Sequence, residues 1–324
     1  MAVTLSIGVS RIDGNTENLD DALESARLAV DCARNLGRNQ VKVFQRDDAY
    51  LLARKAELQW ANESQRALRE NAFRVYLQPI HPVVPDGKRY HFETLIRLRT
   101  EDGRMIEPGD FLPAAEVFNL MPLIDRWMIN ATFETLSESG FARRAMEGTI
   151  AINLSGQTVA NPDLVPYIRD KLEQYGLAPS CICFEITETA AFNDFHFALG
   201  VCQEIKALGC SLSLDDFGTG LSSFSYLQKL PVDFVKIDGS FVQAMSADEV
   251  SHAMVTAINR VSHVMGLKTI AEYVENDVLR AELELMGVDY VQGYAFARPL
   301  PIAEALQATG SNDLSHRRWL KGAS

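Results

Sequence analysis

No run of apolar residues in this sequence approaches the ~18 that a membrane-crossing helix needs. The polar stretch from Asp13 to Asp21 is equally unlike a secretory signal. Histidine is scarce, six in all, and none is among the candidate site residues described below. A zinc centre or a His-Asp hydrolase therefore has nothing to stand on, and the histidines are expected to be structural or surface residues. Positive charge is in deficit: 31 Lys and Arg against 43 Asp and Glu leave a net charge of −12, which argues against a DNA- or RNA-binding surface. The five cysteines are an odd count. Cys181 and Cys183 alternate along one expected strand but lie too close for a regular disulfide. All five are expected to be reduced core residues, as in a cytoplasmic protein. Repeats and low-complexity tracts are also missing. At 324 residues and 47% hydrophobic content, the chain has room for one large core and an appendage.

What is present is acid at the ends of strands. In Ser211-Leu212-Ser213-Leu214-Asp215-Asp216-Phe217-Gly218-Thr219-Gly220 an apolar strand runs into two adjacent carboxylates and a turn with two glycines. Successive strand residues face opposite sides, so the pair can share one site only where the chain curls over at the strand's end. Neighbouring carboxylates raise each other's pKa unless a cation lies between them, and a divalent metal is the simplest cation to supply.

The pattern recurs. Glu93 lies in the run His91–Arg97, Asn153 ends Thr149–Asn153, and Glu185 ends Cys181–Glu185 with Glu188 three residues later. Lys236 sits inside Phe234–Asp238, Glu272 ends Lys268–Glu272 with Glu275 beyond it, and Gln292 closes Asp289–Gly293. Amphipathic stretches at Leu164–Tyr175, His196–Leu208 and Ala247–Met265 separate these runs. Strands alternating with helices predict a parallel sheet, and glycines at 176, 209, 266 and 287 suit the turns before strands. Seven or eight strands in this order fit a closed (β/α)8 TIM-type barrel, whose active site gathers polar residues at strand C-terminal ends. The gathered set is oxygen-rich and selects a hard metal; the pattern leaves open whether one ion or two.

Together these residues resemble the EAL-domain cyclic di-GMP phosphodiesterases over about Leu68–Leu306. The signature appears as Glu93-Thr94-Leu95 with Arg97. Asn153-Leu154-Ser155, Glu185-Ile186-Thr187-Glu188, Asp215–Gly220, Lys236-Ile237-Asp238, Glu272–Glu275 and Gln292-Gly293-Tyr294 follow in order. The resemblance implies a modified barrel whose first strand is antiparallel to its neighbours. It implies metal-dependent hydrolysis of cyclic di-GMP, a bacterial second messenger, to linear pGpG by water attacking in line. Two divalent ions, Mg2+ or Mn2+, are expected, with Ca2+ inhibitory. Glu93, Asn153, Glu185 and Asp215 would hold one ion; Asp215, Asp216 and Glu272 would hold the other. Lys236 would orient the water or screen charge, Glu272 would serve as base, and Glu188 would brace the loop after strand five, with Glu275 also supporting. Gln78, Leu95, Arg97 and Gln292 are similar to substrate contacts, Arg97 on a phosphate.

Two positions depart from the family pattern. Thr94 replaces alanine and is expected to face away from the site. Tyr273 replaces a glycine; if that position needs positive φ, the tyrosine is strained by roughly 1–2 kcal/mol, enough to shift Glu272 or Glu275. Two other readings compete with the enzyme. One is a non-catalytic cyclic di-GMP receptor, which the intact polar set disfavours; the other is a hydrolase of a different phosphodiester.

Ahead of the barrel, Val3–Val9, Leu19–Asn35 and Gly37–Phe44 read as strand, helix and turn-strand. They resemble the last third of a GGDEF diguanylate cyclase domain without its signature, so no cyclase activity is expected. Some 45 residues are too few for a full core, and a docked or partly mobile βαβ-like remnant is expected. The organisation expected is a remnant over residues 1–45, a linker helix over 46–71, the barrel over 72–306 and a frayed tail over 307–324. The chain reads as an excerpt of a larger protein, cytoplasmic or the cytosolic end of a membrane-anchored sensor, with no membrane insertion of its own. A homodimer is expected through the loop Phe217–Tyr226 and the helices after strands five and six, where Phe217, Leu221 and Phe224 would bury against a partner or on their own barrel.

Overall fold

The structure, a computed structural model, describes residues 4–13, 18–35, 37–45, 49–84, 89–141, 147–219 and 224–310. Residues 46–48 of the expected linker helix, residues 220–223 of the loop after strand five, and residues 311–324 of the expected tail, His316 among them, lie outside these. The described chain divides into two units, Met1–Arg69 with Gly109–Leu120, and Glu70–Pro108 with Met121–Ser324.

In the first unit, β1 (Ile7–Val9) and β2 (Val41–Val43) pair in parallel across α1 (Leu19–Asn35), the βαβ crossover read from the sequence. Leu28 and Cys32, one helical turn apart on α1, are buried together with Phe44 and Leu58 packed against them. Gly8 lets β1 lie directly on this helix, since a Cβ there would stand 2.1 Å from the Ala26 carbonyl oxygen. The unit also contains α2 (Ala49–Arg69) and most of α3 (Pro108–Val117). The Arg54 guanidinium lies 5.0 Å from the centre of the Phe118 ring.

The second unit runs β3 (Phe73–Pro82), β4 (Arg89–Arg99), β5 (Met105–Ile106), α4 (Met121–Glu138), β6 (Glu147–Leu154), α5 (Gly156–Val159) and α6 (Leu164–Tyr175). It continues with β7 (Ile182–Thr187), α7 (Glu188–Asn193), α8 (Phe195–Leu208), β8 (Ser211–Phe217), α9 (Phe224–Leu227), β9 (Phe234–Ile237) and α10 (Gly239–Ala244). It closes with α11 (Glu249–Val264), β10 (Lys268–Ala271), α12 (Asp277–Leu285), β11 (Tyr290–Val291), β12 (Leu300–Pro301) and α13 (Ile302–Gly310). Strands β4, β6, β7, β8, β9, β10 and β11 are successively parallel, and β3 joins β4 to β11 antiparallel to both. This closed eight-stranded barrel with an inverted first strand is the predicted fold.

Helices form where apolar residues recur at helical spacing. Leu164, Val165, Ile168 and Leu172 make the buried stripe of α6, and Val255 and Ile258 the apolar part of that of α11. Each fully buried Ile or Leu contributes roughly 1.5–3 kcal/mol, enough to fix the helices on the barrel. Gly176 (φ 62°) and Gly209 (φ 97°) take left-handed conformations that end α6 and α8 before the next strand.

Inside the barrel, at the end where the parallel strands begin, Ile80, Ile270 and Tyr290 form an apolar plug with Phe234 against it. His91 packs edge-on to Tyr290, its Nδ1 2.7 Å from Thr149 Oγ1, a structural role as expected. Phe234 and Lys236 are two residues apart on β9 and so point the same way: the plug closes one end and charge begins in the layer above it.

One expectation needs correction. Cys181 does not share a strand with Cys183; it ends a 3-10 turn opened by Pro179, whose fixed φ delays the strand to Ile182. Cys181 is also only partly buried, whereas the other four cysteines are buried, and all five are free thiols. Of the two settings expected for Phe217, a partner or its own barrel, the structure shows the second: it is wholly buried, its ring 5.6 Å from that of Phe224.

Candidate active site

The mouth of the barrel holds a cavity of about 320 Å³ whose lining includes Gln78, Glu93, Leu95, Arg97, Asn153, Asp215, Asp216, Lys236, Glu272, Glu275 and Gln292. The residues picked out by strand-end position therefore converge on one space. Glu185 and Glu188 are not part of this lining; Glu185 joins it through Lys236, and Glu188 bonds to Gly218 beyond Asp216.

At the centre is Lys236, 1% exposed, with Nζ 2.7 Å from Glu272 Oε1, 3.0 Å from Glu185 Oε2, 3.2 Å from Asp215 Oδ1 and 3.3 Å from Glu93 Oε2. Four carboxylates on four strand ends meet one ammonium. Burial works against the charged lysine, but these carboxylates outweigh it and hold its pKa well above the ordinary value.

One positive charge cannot balance four negative ones, and the excess appears as raised carboxyl pKa values. Burial, with repulsion from the other acids, lifts Glu272 to about 8 and raises Glu185 and Asp215. Glu93 goes the other way: burial pushes it up, but Lys236 and the amides of Gln292 and Asn153 bring it below its usual value. Asn153 Nδ2 donates to Glu93 Oε1 at 2.7 Å, and Gln292 Nε2 donates to Glu93 Oε2 at 2.7 Å. The same Gln292 Nε2 donates to Gln78 Oε1, and Gln78 Nε2 donates to the Ala297 carbonyl. Gln78 sits opposite Glu93 in the β3–β4 register, so the inverted strand orients this ligand.

Asp215 and Asp216 reach the same space through a local break in the pleat. The β8–β9 register shifts between Leu214 and Phe217, and Asp216 takes φ 55°. A bulge of this kind re-aims a side chain, so two neighbours that would face opposite ways both line the cavity. The Asp216 amide donates to Asp215 Oδ1 at 3.0 Å. Burial and the Asp215 charge lift Asp216 to about 6.

The donor set suits a divalent cation. One oxygen from each of Asp215, Asp216 and Glu272 lies within 4.8 Å of the others. Glu185 Oε1 and Gln292 Oε1 are buried with no hydrogen-bond partner among the described residues. Oxygen-only donors with surplus negative charge select hard ions such as magnesium, manganese or calcium.

Around this core, Glu188 Oε2 accepts the Gly218 N–H at 2.9 Å, which ties the start of the loop after β8 to α7. Glu275 accepts from Gln243 Nε2 at 3.1 Å. Arg97 lies beneath the Tyr76 ring at 5.5 Å, donates to the Ile96 carbonyl, and pairs with Glu107 at 3.6 Å. Glu107 was not legible in the sequence, being a single acid in a polar loop.

Thr94 faces away, its Oγ1 donating to the Ala151 carbonyl of β6. Tyr273 does occupy the left-handed region, at φ 52°. The Glu272 amide donates to Ile237 O and the Val274 amide to Gln292 O, which fixes the backbone on both sides of it. The strain, roughly 1–2 kcal/mol, leaves Glu272 within 2.7 Å of Lys236.

Comparison with known proteins adds a family and its relatives. The EAL domain model matches residues 61–299. The chain is 38% identical over 301 residues to the cyclic di-GMP phosphodiesterase PdeB of Shewanella oneidensis, covering 93% of this chain and 35% of that protein. It is 33% identical over 270 residues to the cyclic di-GMP phosphodiesterase PdeF of Escherichia coli, covering 83% of this chain and 36% of that protein. The chain thus spans about a third of the length of these curated relatives. Among solved structures, the PaMucR phosphodiesterase in complex with c-di-GMP superposes with a TM-score of 0.72 at 31% identity, covering 76% of this chain and 99% of that one. The FimX EAL domain from Pseudomonas aeruginosa bound to c-di-GMP superposes at 0.68 and 30% identity, covering 74% and 96%.

Proposed function

This chain belongs to the EAL domain family, and from that membership we propose that it hydrolyses cyclic di-GMP to linear pGpG with the help of divalent metal. The carboxylate cluster around Lys236 carries the proposal: a buried ammonium among four acids, at the floor of a cavity sized for a small ligand. Glu93, Asn153, Glu185 and Asp215 would hold one ion, and Asp215, Asp216 and Glu272 a second. Magnesium or manganese bound there would supply charge to neutralise the phosphodiester and to acidify the attacking water.

The chain's own groups do the rest. Arg97, steadied by the Tyr76 ring and the Ile96 carbonyl, offers guanidinium donors to a phosphate oxygen. Leu95 supplies an apolar wall. Gln78 and Gln292 hold Glu93 in one orientation. Lys236 Nζ provides positive charge where negative charge develops as water adds to phosphorus and a ribose oxygen departs. Glu272 Oε1, 2.7 Å from Lys236 Nζ and in the lining of the cavity, is placed to take the proton that water gives up. Glu188 keeps the loop after Asp216 in place, and Glu275 supports the opposite rim.

The alternative, a non-catalytic receptor, is not favoured, because the strained Tyr273 leaves Glu272 in place against Lys236. Incubation with cyclic di-GMP and magnesium or manganese, followed by separation of nucleotides, distinguishes the two. The enzyme yields pGpG and loses activity in calcium, whose longer and more irregular coordination misplaces the water; the receptor returns bound, intact substrate in every metal.

The first unit's βαβ arrangement supports its reading as the C-terminal part of a GGDEF domain, as do its residues from Gly37 to Phe44. A homodimer through the loop Phe217–Tyr226 and the helices after strands five and six, α9 to α11, is supported by the exposed Val250 and Val264 on α11, 69% and 84% accessible. Light scattering across a dilution series tests it: a monomer at every concentration ends the idea. The free thiols, four of the five buried, accord with a cytoplasmic setting.

A further inference from the structure

Tyr273 is large, aromatic and 60% exposed, yet it is held at φ 52° beside Glu272 in the lining of the cavity. Burial gains little from so exposed a ring, and backbone strain of this kind concentrates at functional positions. The ring is also seated. A Cβ built on Gly239 would stand 2.2 Å from Tyr273 Cδ2, 2.7 Å from Cγ and 2.9 Å from Cβ, so the tyrosine occupies the space that any side chain at 239 would take. Gly239 opens α10 without positive φ, and its lack of a side chain is what the ring requires. Across the same cavity Tyr294 is 46% exposed, with the Arg298 guanidinium 4.6 Å from its ring centre. The Tyr273 hydroxyl makes no hydrogen bond with any described residue. What the residue presents is therefore an aromatic face, fixed in place, next to a centre built for phosphate.

We propose that Tyr273, seated on Gly239, is a substrate-positioning residue that stacks on a nucleobase of the dinucleotide while its phosphate lies over the Lys236 cluster. The inference rests on the phosphodiesterase reading above and deepens it. Aromatic side chains stack on bases irrespective of sequence, and a rigid ring loses little freedom in doing so. Gly239 belongs to the same device, because a methyl group there dislodges the ring.

Calorimetry of cyclic di-GMP binding in calcium, which suppresses turnover, tests this on the full chain alongside kcat and KM in magnesium and the affinity for Mn2+. Tyr273→Ala is expected to weaken nucleotide binding about tenfold and to raise KM far more than it lowers kcat, with Mn2+ affinity retained. Tyr273→Phe should restore binding. Gly239→Ala should imitate Tyr273→Ala, and the double variant should be no worse than either single one. Equal nucleotide affinity in wild type and Tyr273→Ala overturns the inference alone. A fall in Mn2+ affinity or kcat with nucleotide binding intact also overturns it, since the tyrosine would then act through Glu272. If the wild type neither binds nor cleaves cyclic di-GMP, the phosphodiesterase reading fails and takes this inference with it.

Discussion

Lys236 Nζ stands 2.7 Å from Glu272 Oε1, the shortest of the four ion pairs that enclose this lysine, and both side chains are almost wholly withdrawn from solvent. The pair joins the end of β9 to the chain just past β10, so the barrel's charge centre is also part of its closure. Removing the ammonium leaves four acids with no counter-charge. Lys236→Met is expected to lower the hydrolysis rate by at least a hundredfold at saturating substrate while substrate affinity holds, because the lysine acts where charge develops. Kinetics beside binding in calcium decide this; a collapse of affinity along with rate would move Lys236 into the binding contacts. Metal-free stability should also fall by about 3–5 kcal/mol, read by denaturant unfolding.

Asp215 is shared by both sets of proposed ligands, whereas Glu93 belongs to one. Asp215→Asn should therefore abolish turnover and depress Mn2+ binding at both sites, while Glu93→Ala abolishes turnover and weakens one. Calorimetric titration with Mn2+ counts the ions bound. Near-normal hydrolysis in either variant contradicts the ligand assignment.

Glu188 Oε2 accepts the Gly218 N–H at 2.9 Å, at the start of the loop after β8. Glu188→Ala leaves that bond unmade and opens a space beneath the loop. The expected outcome is a tenfold or larger fall in kcat with circular dichroism unchanged. Faster amide exchange confined to the residues after Asp216 would trace the effect to the loop.

Asp289 lies at the opposite end of the barrel, where the strands begin. Burial pushes its carboxyl up, but Lys268 at 2.6 Å, the Thr269 N–H and His263 outweigh this and hold it below the ordinary carboxylate range. An acid whose folded pKa is depressed stabilises the protein above its unfolded pKa of about 3.9 and loses that contribution as pH falls through the folded value. Asp289→Asn should cost about 1 kcal/mol at pH 7, allowing for solvent screening. The gap from wild type should narrow as pH falls below that unfolded value and towards the lower folded one. A gap constant with pH would mean that the loss is one of packing.

Most of the site was legible because strand-end position and chemistry coincide: Glu93, Asn153, Glu185, Asp215, Lys236 and Glu272 each sit on a short β-branched run, where a polar residue needs a reason. The inverted β3 and the role of Gln78 were available only through family resemblance, since a lone glutamine in an apolar run carries no local signal. The bulge at Asp216 was half visible: the paired acids implied that the chain must curl, but not that Asp216 itself would take φ 55°. The 3-10 turn at Pro179 was missed because alternation of Cys181 and Cys183 imitates a strand. The seat of Tyr273 on Gly239 joins residues 34 positions apart through a contact of shape alone, which no pattern in the chain records.

Hydrolysis of cyclic di-GMP in 18O-enriched water, with magnesium and the intact chain, addresses the central claim most directly. Attack by water on phosphorus at the Lys236 cluster is expected to give pGpG carrying one 18O in its terminal phosphate, and no product with Asp215→Asn. Cyclic di-GMP recovered whole, or a linear product without the label, would contradict the account.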